Sequence, residues 1–239
     1  MMQCGKKFRD PANPAEAARN HWQAVAGPHR PGAWNALNSR YCEPHRAYHG
    51  WGHIAALLEK LDGHRNLASR ADLIAIAAFW HDAVYTTRDR EGRIRPDYEN
   101  VRDSASLFAR YTLLKPPARD AVLAFIMATA DHLHARADGK FYDGFEGDLD
   151  LFLDLDLSSL ASPWAAFESH MRQLRSEFSF ASDGEFYANH LRTLQNFARD
   201  DVALFRRAET RAMWLASAKA NLQRCCSELA KKLAACSAG

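Results

Sequence analysis

The sequence predicts an all-α protein, and three observations carry that reading. Apolar residues recur at three- and four-residue spacing along most of the chain. No alternating run of β-branched residues bounded by turn signals stands out, so no strand is required. Proline, glycine and asparagine punctuate the periodic segments near their ends.

The elements follow in order. "NPAEAARNHWQAVAG" opens with Asn13 as N-cap and Pro14 at the first helical position, and closes at Gly27. A second helix follows Pro44, ends near Gly63 and contains "YHGWGHIAALLEKL". "RADLIAIAAFWHDAVY" covers 70–85 and is apolar nearly all round, the mark of a buried helix. The polar stretch "TTRDREGRIRPD" interrupts the pattern. A helix over 97–112 is stopped by "KPP" at 115–117, and the next runs from Pro117 to about His134. "ARADGKFYDGFEGD" reads as a loop, followed by "LDLFLDLDLSSL" and by helices near 163–179, 183–199 and 207–234. In the last, Leu222, Cys226, Leu229 and Leu233 share one face, which packs on the bundle or on a second copy of the chain as a homo-oligomer. The organisation expected is one domain over 1–239, with a motif core at about 41–160 and a helical extension at 161–235.

Composition narrows the function classes. The 239 residues, 47% hydrophobic and 25% charged, suit a globular domain with a real core. A net charge of +2 gives no basic stripe, so duplex DNA is not an expected partner. The five cysteines include no C-x-x-C pair, which argues against a disulfide framework or a zinc ribbon and for reduced thiols in a cytoplasm. "MMQCGKKFRD" lacks the apolar stretch of a signal peptide. The longest apolar run, "AVLAFIMATA", falls short of the roughly 18 residues of a membrane span, so no membrane partner is expected.

Chemistry concentrates in three places. The buried helix over 70–85 carries His81-Asp82, and a buried carboxylate is costly unless a cation or hydrogen bonds meet it. His49 and His53 are four residues apart, which places them on one face if both are helical, and His53 shares the inward stripe with Leu57. Asp154 and Asp156 stand among Leu151, Phe152, Leu153, Leu155 and Leu157. Two residues apart on a helix, they point about 200° apart, so one is a ligand and the other a cap or surface group. Asp156 is the preferred ligand. His53, His81, Asp82 and Asp156 together make a mixed nitrogen and oxygen set suited to Mn, Fe, Ni, Co, Zn or Mg. Each residue also has a plain structural reading, as a hydrogen-bonded core histidine or a capped carboxylate.

"YHGWGHI", "FWHDAVY", "ENVRDSA" and "FLDLDLSSL" resemble the motifs of the HD superfamily of metal-dependent phosphohydrolases, and of a group of small bacterial members in particular. The likeness runs from about Tyr41 to Leu160. It implies an all-α fold, a divalent metal on His53, His81, Asp82 and Asp156, and a small phosphorylated substrate such as a nucleotide. It places His49 in the pocket as a catalytic neighbour. Glu99 and Asn100 fall in the acidic-amide motif and would face substrate, although Val101 stands where an acid is common. His132 falls where the superfamily often keeps a histidine; it meets substrate or a second metal, or else sits on a helix C-terminal dipole.

The chemistry expected is hydrolysis by a metal-activated water, with Asp82 as ligand and proton acceptor. Arg88, in the arginine-rich loop after His81-Asp82, would clamp a phosphate. Two other readings stay open: a nucleotide-sensing domain without turnover, and a di-iron oxygenase with His49 and His132 as added ligands.

Overall fold

The computed structural model describes residues 13–135 and 144–237, so most of the expected loop at 135–148 lies outside the described residues. Among the described residues there are ten α-helices and no β-strand, which makes the chain all-α; two isolated bridges join His29 to Thr112 and Arg88 to Ile94. The chain divides into two compact units, one reaching Phe152 and the other beginning at Leu153.

The first unit holds α1 (Pro14–Val25), α2 (Ala33–Tyr41), α3 (Trp51–Gly63), α4 (Ala71–Trp80), α5 (Asp97–Tyr111), α6 (Ala118–Ala128) and the start of α7 (Glu146–Leu157). Its centre is α4, whose every residue from Leu73 to Trp80 is buried. It packs against α1, α3, α5 and α6, and a helix covered on all sides has no use for a polar face. Asp148 fixes where α4 begins by accepting from the backbone N–H groups of Ser69 and Arg70 at 2.7 and 2.8 Å. An aromatic cluster closes the far side: Trp22, Phe79, Trp80 and Phe108 meet around His29. The Asn13 side chain caps α1 through the Ala15 N–H, with Pro14 in the first turn.

Several elements differ from those the periodicity suggests: α2 is not among the expected helices, α6 ends at Ala128 with a 3₁₀ turn at Thr129–Asp131 in place of a helix to His134, and two further boundaries bear on the site. α3 begins at Trp51, so His49 precedes the helix instead of sharing a face of it with His53. The cause is Gly50, an extended N-cap residue (φ −111°, ψ −166°) that offers no capping side chain. α4 stops at Trp80, not 85, because its last carbonyls are captured elsewhere, as described below.

The second unit holds the end of α7, a 3₁₀ turn at Ser158–Ala161, α8 (Trp164–Glu177), α9 (Asp183–Ala198) and α10 (Ala208–Ser237). α10 packs along α9 and the 3₁₀ turn, where the Asn221 amide donates to the carbonyls of Leu160 and Ser162. Ser182 caps α9 by accepting from the Glu185 N–H. On α10 the buried positions include Trp214, Ala218, Leu222, Cys225 and Leu229, a helical spacing that turns Cys225 inward and leaves Cys226 half-buried. Burial, then the neighbouring Cys226 and Glu228, pushes the Cys225 thiol up to about 12, so it packs as an inert apolar group. No helix among the described residues is long and apolar enough to cross a membrane.

Candidate metal centre

The site forms where the start of α3 meets the turn after α4. His53, one turn into α3, and His81 and Asp82, just past the end of α4, bring one ligand atom each within 4.8 Å of one another. His53 Nε2 lies 3.3 Å from His81 Nε2 and 3.7 Å from Asp82 Oδ2; His81 Nε2 lies 3.1 Å from the same oxygen. The three side chains are largely withdrawn from water, with exposures of 9%, 2% and 15%.

The tautomer of His81 follows from its other nitrogen. Nδ1 lies 3.0 Å from the Ala78 carbonyl, which can only accept, so Nδ1 carries the hydrogen and donates it. In the neutral ring Nε2 then offers a lone pair, aimed at His53 and at the Asp82 carboxylate. Three electron-pair donors converging in a buried space repel unless protons or a cation stand among them. A cation about 2.1 Å from each ligand spaces two ligand atoms about 3.0 Å apart at a right angle and about 3.4 Å apart at a tetrahedral one. The 3.1 and 3.3 Å separations fall in that range, and the 3.7 Å one between His53 and Asp82 lies just beyond it.

Protons on the imidazoles can take the cation's place: burial alone would raise the Asp82 carboxyl, but a protonated His81, through its charge and hydrogen bond, and then the charges of His49 and His53, outweigh it and hold the group below the usual carboxylate range. Asp82 therefore stays ionised.

The surroundings are aromatic and tightly tied. The His49 ring stacks on Tyr85 with centroids 3.8 Å apart and lies 6.2 Å from the His53 ring. Tyr48 leans on both histidines. Behind them the buried guanidinium of Arg46 donates to the carbonyls of His49, Asp82 and Ala83 at 3.1, 2.6 and 3.1 Å, and pairs with Glu43 at 3.0 Å. α4 ends because the carbonyls of Ala78, Phe79 and Trp80 are taken by His81 Nδ1, the Tyr41 hydroxyl and the Ala83 N–H. The turn is completed by Ser104, whose hydroxyl accepts from the Val84 N–H and donates to the Val84 carbonyl. Sequence reasoning passed over Arg46 because its partners are backbone atoms distant in the chain.

Asp97 is a second residue the motifs did not single out. It opens α5. Surrounding protein and then the Asp82 charge raise its pKa, while His49, His132 and Asn100 oppose the rise. Its side chain keeps a solvent-facing edge. Asp97 and His132 therefore lie within electrostatic reach of the group around Asp82. The only signal in the sequence was an acidic residue directly after Pro96 at a helix start.

The remaining expected substrate residues serve the loop at 86–95. Asn100 is buried; its amide accepts from the Thr86 N–H and from Arg95 and donates to the Thr86 carbonyl. Glu99 pairs with Arg95 at 3.1 Å. Arg88 donates to the Gly92 carbonyl, and its guanidinium lies where a side chain at Gly92 would go, 2.9 Å from the position of a Cβ. Gly92 also has φ +87°, so glycine is required there on two counts. These partners are explained by loop closure: Arg95 reaches forward to the first turns of α5 and binds the motif to the loop.

The two aspartates of "FLDLDL" fall in the second unit. Asp154 accepts from the N–H groups of Arg206 and Arg207 and from the Thr210 hydroxyl, so it is the cap of the expected pair, set at the entry to α10. Asp156 is half-buried on α7. Comparison of the chain with protein-family models, with curated proteins and with solved structures returned no match.

Proposed function

We propose that His53, His81 and Asp82 bind a divalent cation and that the chain is a metal-dependent phosphohydrolase acting on a nucleotide or a similar small phosphate ester. The observation that carries the metal is the convergence of the two Nε2 atoms and the Asp82 oxygen at 3.1–3.7 Å, with His81 held in one tautomer from behind. The phosphohydrolase part rests on the motif resemblance. A mixed imidazole and carboxylate set suits Mn, Fe, Ni, Co or Zn over a soft-metal site.

A divalent cation at such a site lowers the pKa of water and polarises a phosphoryl oxygen. The chain's own groups supply the rest. Asp82, kept ionised by its imidazole neighbours, is the nearest proton acceptor. His49, fixed by stacking on Tyr85, presents its ring beside His53 and is positioned to donate a proton to a leaving oxygen. Asp156 is the fourth ligand suggested by the sequence.

The test is a screen of phosphomonoesters, nucleotides and cyclic dinucleotides with metal-free protein reloaded with Mn, Ni, Co or Mg. Metal-dependent hydrolysis that Asp82→Ala abolishes supports the reading. Tight nucleotide binding without turnover would replace it by a sensing role. An iron-loaded, coloured protein would replace it by oxygen chemistry.

A further inference from the structure

Arg46 is engaged at all three of its guanidinium nitrogens, and it meets the site residues His49 and Asp82 through their backbone carbonyls. Its side chain is fully buried. Nε donates to Glu43 Oε2; one terminal nitrogen donates to the carbonyls of both His49 and Asp82, and the other to that of Ala83. The flat faces of the guanidinium lie against Tyr41 and Tyr85, at 5.3 and 5.9 Å from the ring centres. Tyr41 in turn donates its hydroxyl to the Phe79 carbonyl, and Tyr85 carries the His49 ring.

The geometry of these contacts gives them a meaning beyond filling space. The two halves of the candidate metal group come from separate pieces of chain: His53 from α3, His81 and Asp82 from the turn after α4. The turn after α4 presents carbonyls beyond a helix C-terminus, and the backbone just before α3 adds the His49 carbonyl. One terminal nitrogen of Arg46 takes a carbonyl from each piece, and so sets the separation between the approach to α3 and the His-Asp step. Glu43 balances the buried charge, which would otherwise be costly.

We infer that Arg46 is a positioning residue for the metal group, acting through the backbone of His49, Asp82 and Ala83. The inference rests on the metal reading above. The fork matters as well as the charge: a lysine ammonium could meet the carbonyls of His49 and Asp82 from one atom, as Nη1 does, but could not also hold Ala83 and Glu43 in the same plane. Loss of the strut lets the two pieces separate and the three ligand atoms lose their mutual spacing.

Manganese affinity of the full chain, measured calorimetrically well below the melting temperature, tests this. Arg46→Ala and Arg46→Lys are both expected to bind Mn²⁺ about tenfold or more weakly than the parent, the size of effect typical of groups that orient metal ligands. Guanidinium chloride at tens of millimolar is expected to restore much of the affinity of Arg46→Ala, and methylammonium is not. General loosening of the fold would lower the melting temperature without that selective rescue. Parent-like affinity in either variant, or weakening that guanidinium does not reverse, overturns the inference. Should neither variant be soluble, Glu43→Ala decides, since it removes the acceptor of Nε while leaving Arg46 in place: at least a twofold weakening supports the role and unchanged affinity refutes it. A parent protein that binds no Mn²⁺ fails earlier, and takes down the metal reading itself.

Discussion

Asp82 and Asp154 are two carboxylates withdrawn from water, one in each unit, and they are met by opposite kinds of partner. Asp154 receives two backbone N–H groups and a threonine hydroxyl, three donors turned on one carboxylate. Asp148 does the same at the entry to α4. Asp82 faces two imidazole nitrogens, one of which has its hydrogen committed elsewhere. The difference separates a carboxylate that holds a fold together from one whose surroundings ask for a cation. Burial alone does not make the distinction; the protonation of the neighbouring atoms does.

The largest expected effect sharpens this contrast. Asp82→Ala should lower Mn²⁺ affinity by more than about 100-fold, measured by calorimetry, while costing the metal-free protein less stability than Asp154→Ala. Asp154→Ala should show the reverse emphasis: a loss of about 3 kcal/mol in denaturant unfolding, since two buried N–H groups are left without an acceptor. Equal stability losses with equal metal affinities would erase the distinction.

These two carboxylates also mark how much was legible beforehand. "FLDLDL" announced that aspartates in an apolar run need partners, and that one of the two would be a cap; Asp154 is that cap. Helix order was readable from periodicity, to within a few residues for α5, α8, α9 and α10. The ends of α3 and α4 were not, because they are set by Gly50 and by carbonyls that side chains capture, in the case of Phe79 by Tyr41 38 positions away in the chain. His53, His81 and Asp82 were legible as a group since their side chains carry the chemistry. Glu99 and Asn100 were legible as a motif, but their partners in the loop were not, because Arg95 competes for them locally. Asp97 gave almost no signal.

Histidines extend the comparison to pH. His29 in the first unit uses both nitrogens as a neutral ring: Nδ1 donates to the Val25 carbonyl and Nε2 accepts from the Trp80 indole N–H. Burial lowers its pKa, against the backbone contacts of Val25 and Ala26. In the second unit burial pushes His190 down to about 4. Each group's folded pKa lies below its unfolded value of about 6.5, so the unfolded chain takes up the proton first. The stability each confers is whole above about pH 6.5 and is lost as pH falls toward the folded pKa, at up to about 1.4 kcal/mol per pH unit per proton. Unfolding curves between pH 7 and pH 4 should show this decline, as an expected trend of about that slope. His190→Leu should flatten the part of the decline that belongs to the second unit. A decline unchanged in the variant would contradict the assignment. The smallest effect concerns the loop: Asn100→Asp keeps the acceptors but loses the donor to the Thr86 carbonyl, and should cost about 1 kcal/mol in thermal unfolding.

The central claim is that one cation sits among His53, His81 and Asp82, and anomalous scattering from Mn²⁺-soaked crystals of the full chain tests it most directly. The account predicts a peak within bonding distance of His53 Nε2, His81 Nε2 and a carboxylate oxygen of Asp82. A peak held by other residues, or these three atoms bonded only to one another in crystals that hold Mn²⁺ elsewhere, would contradict it.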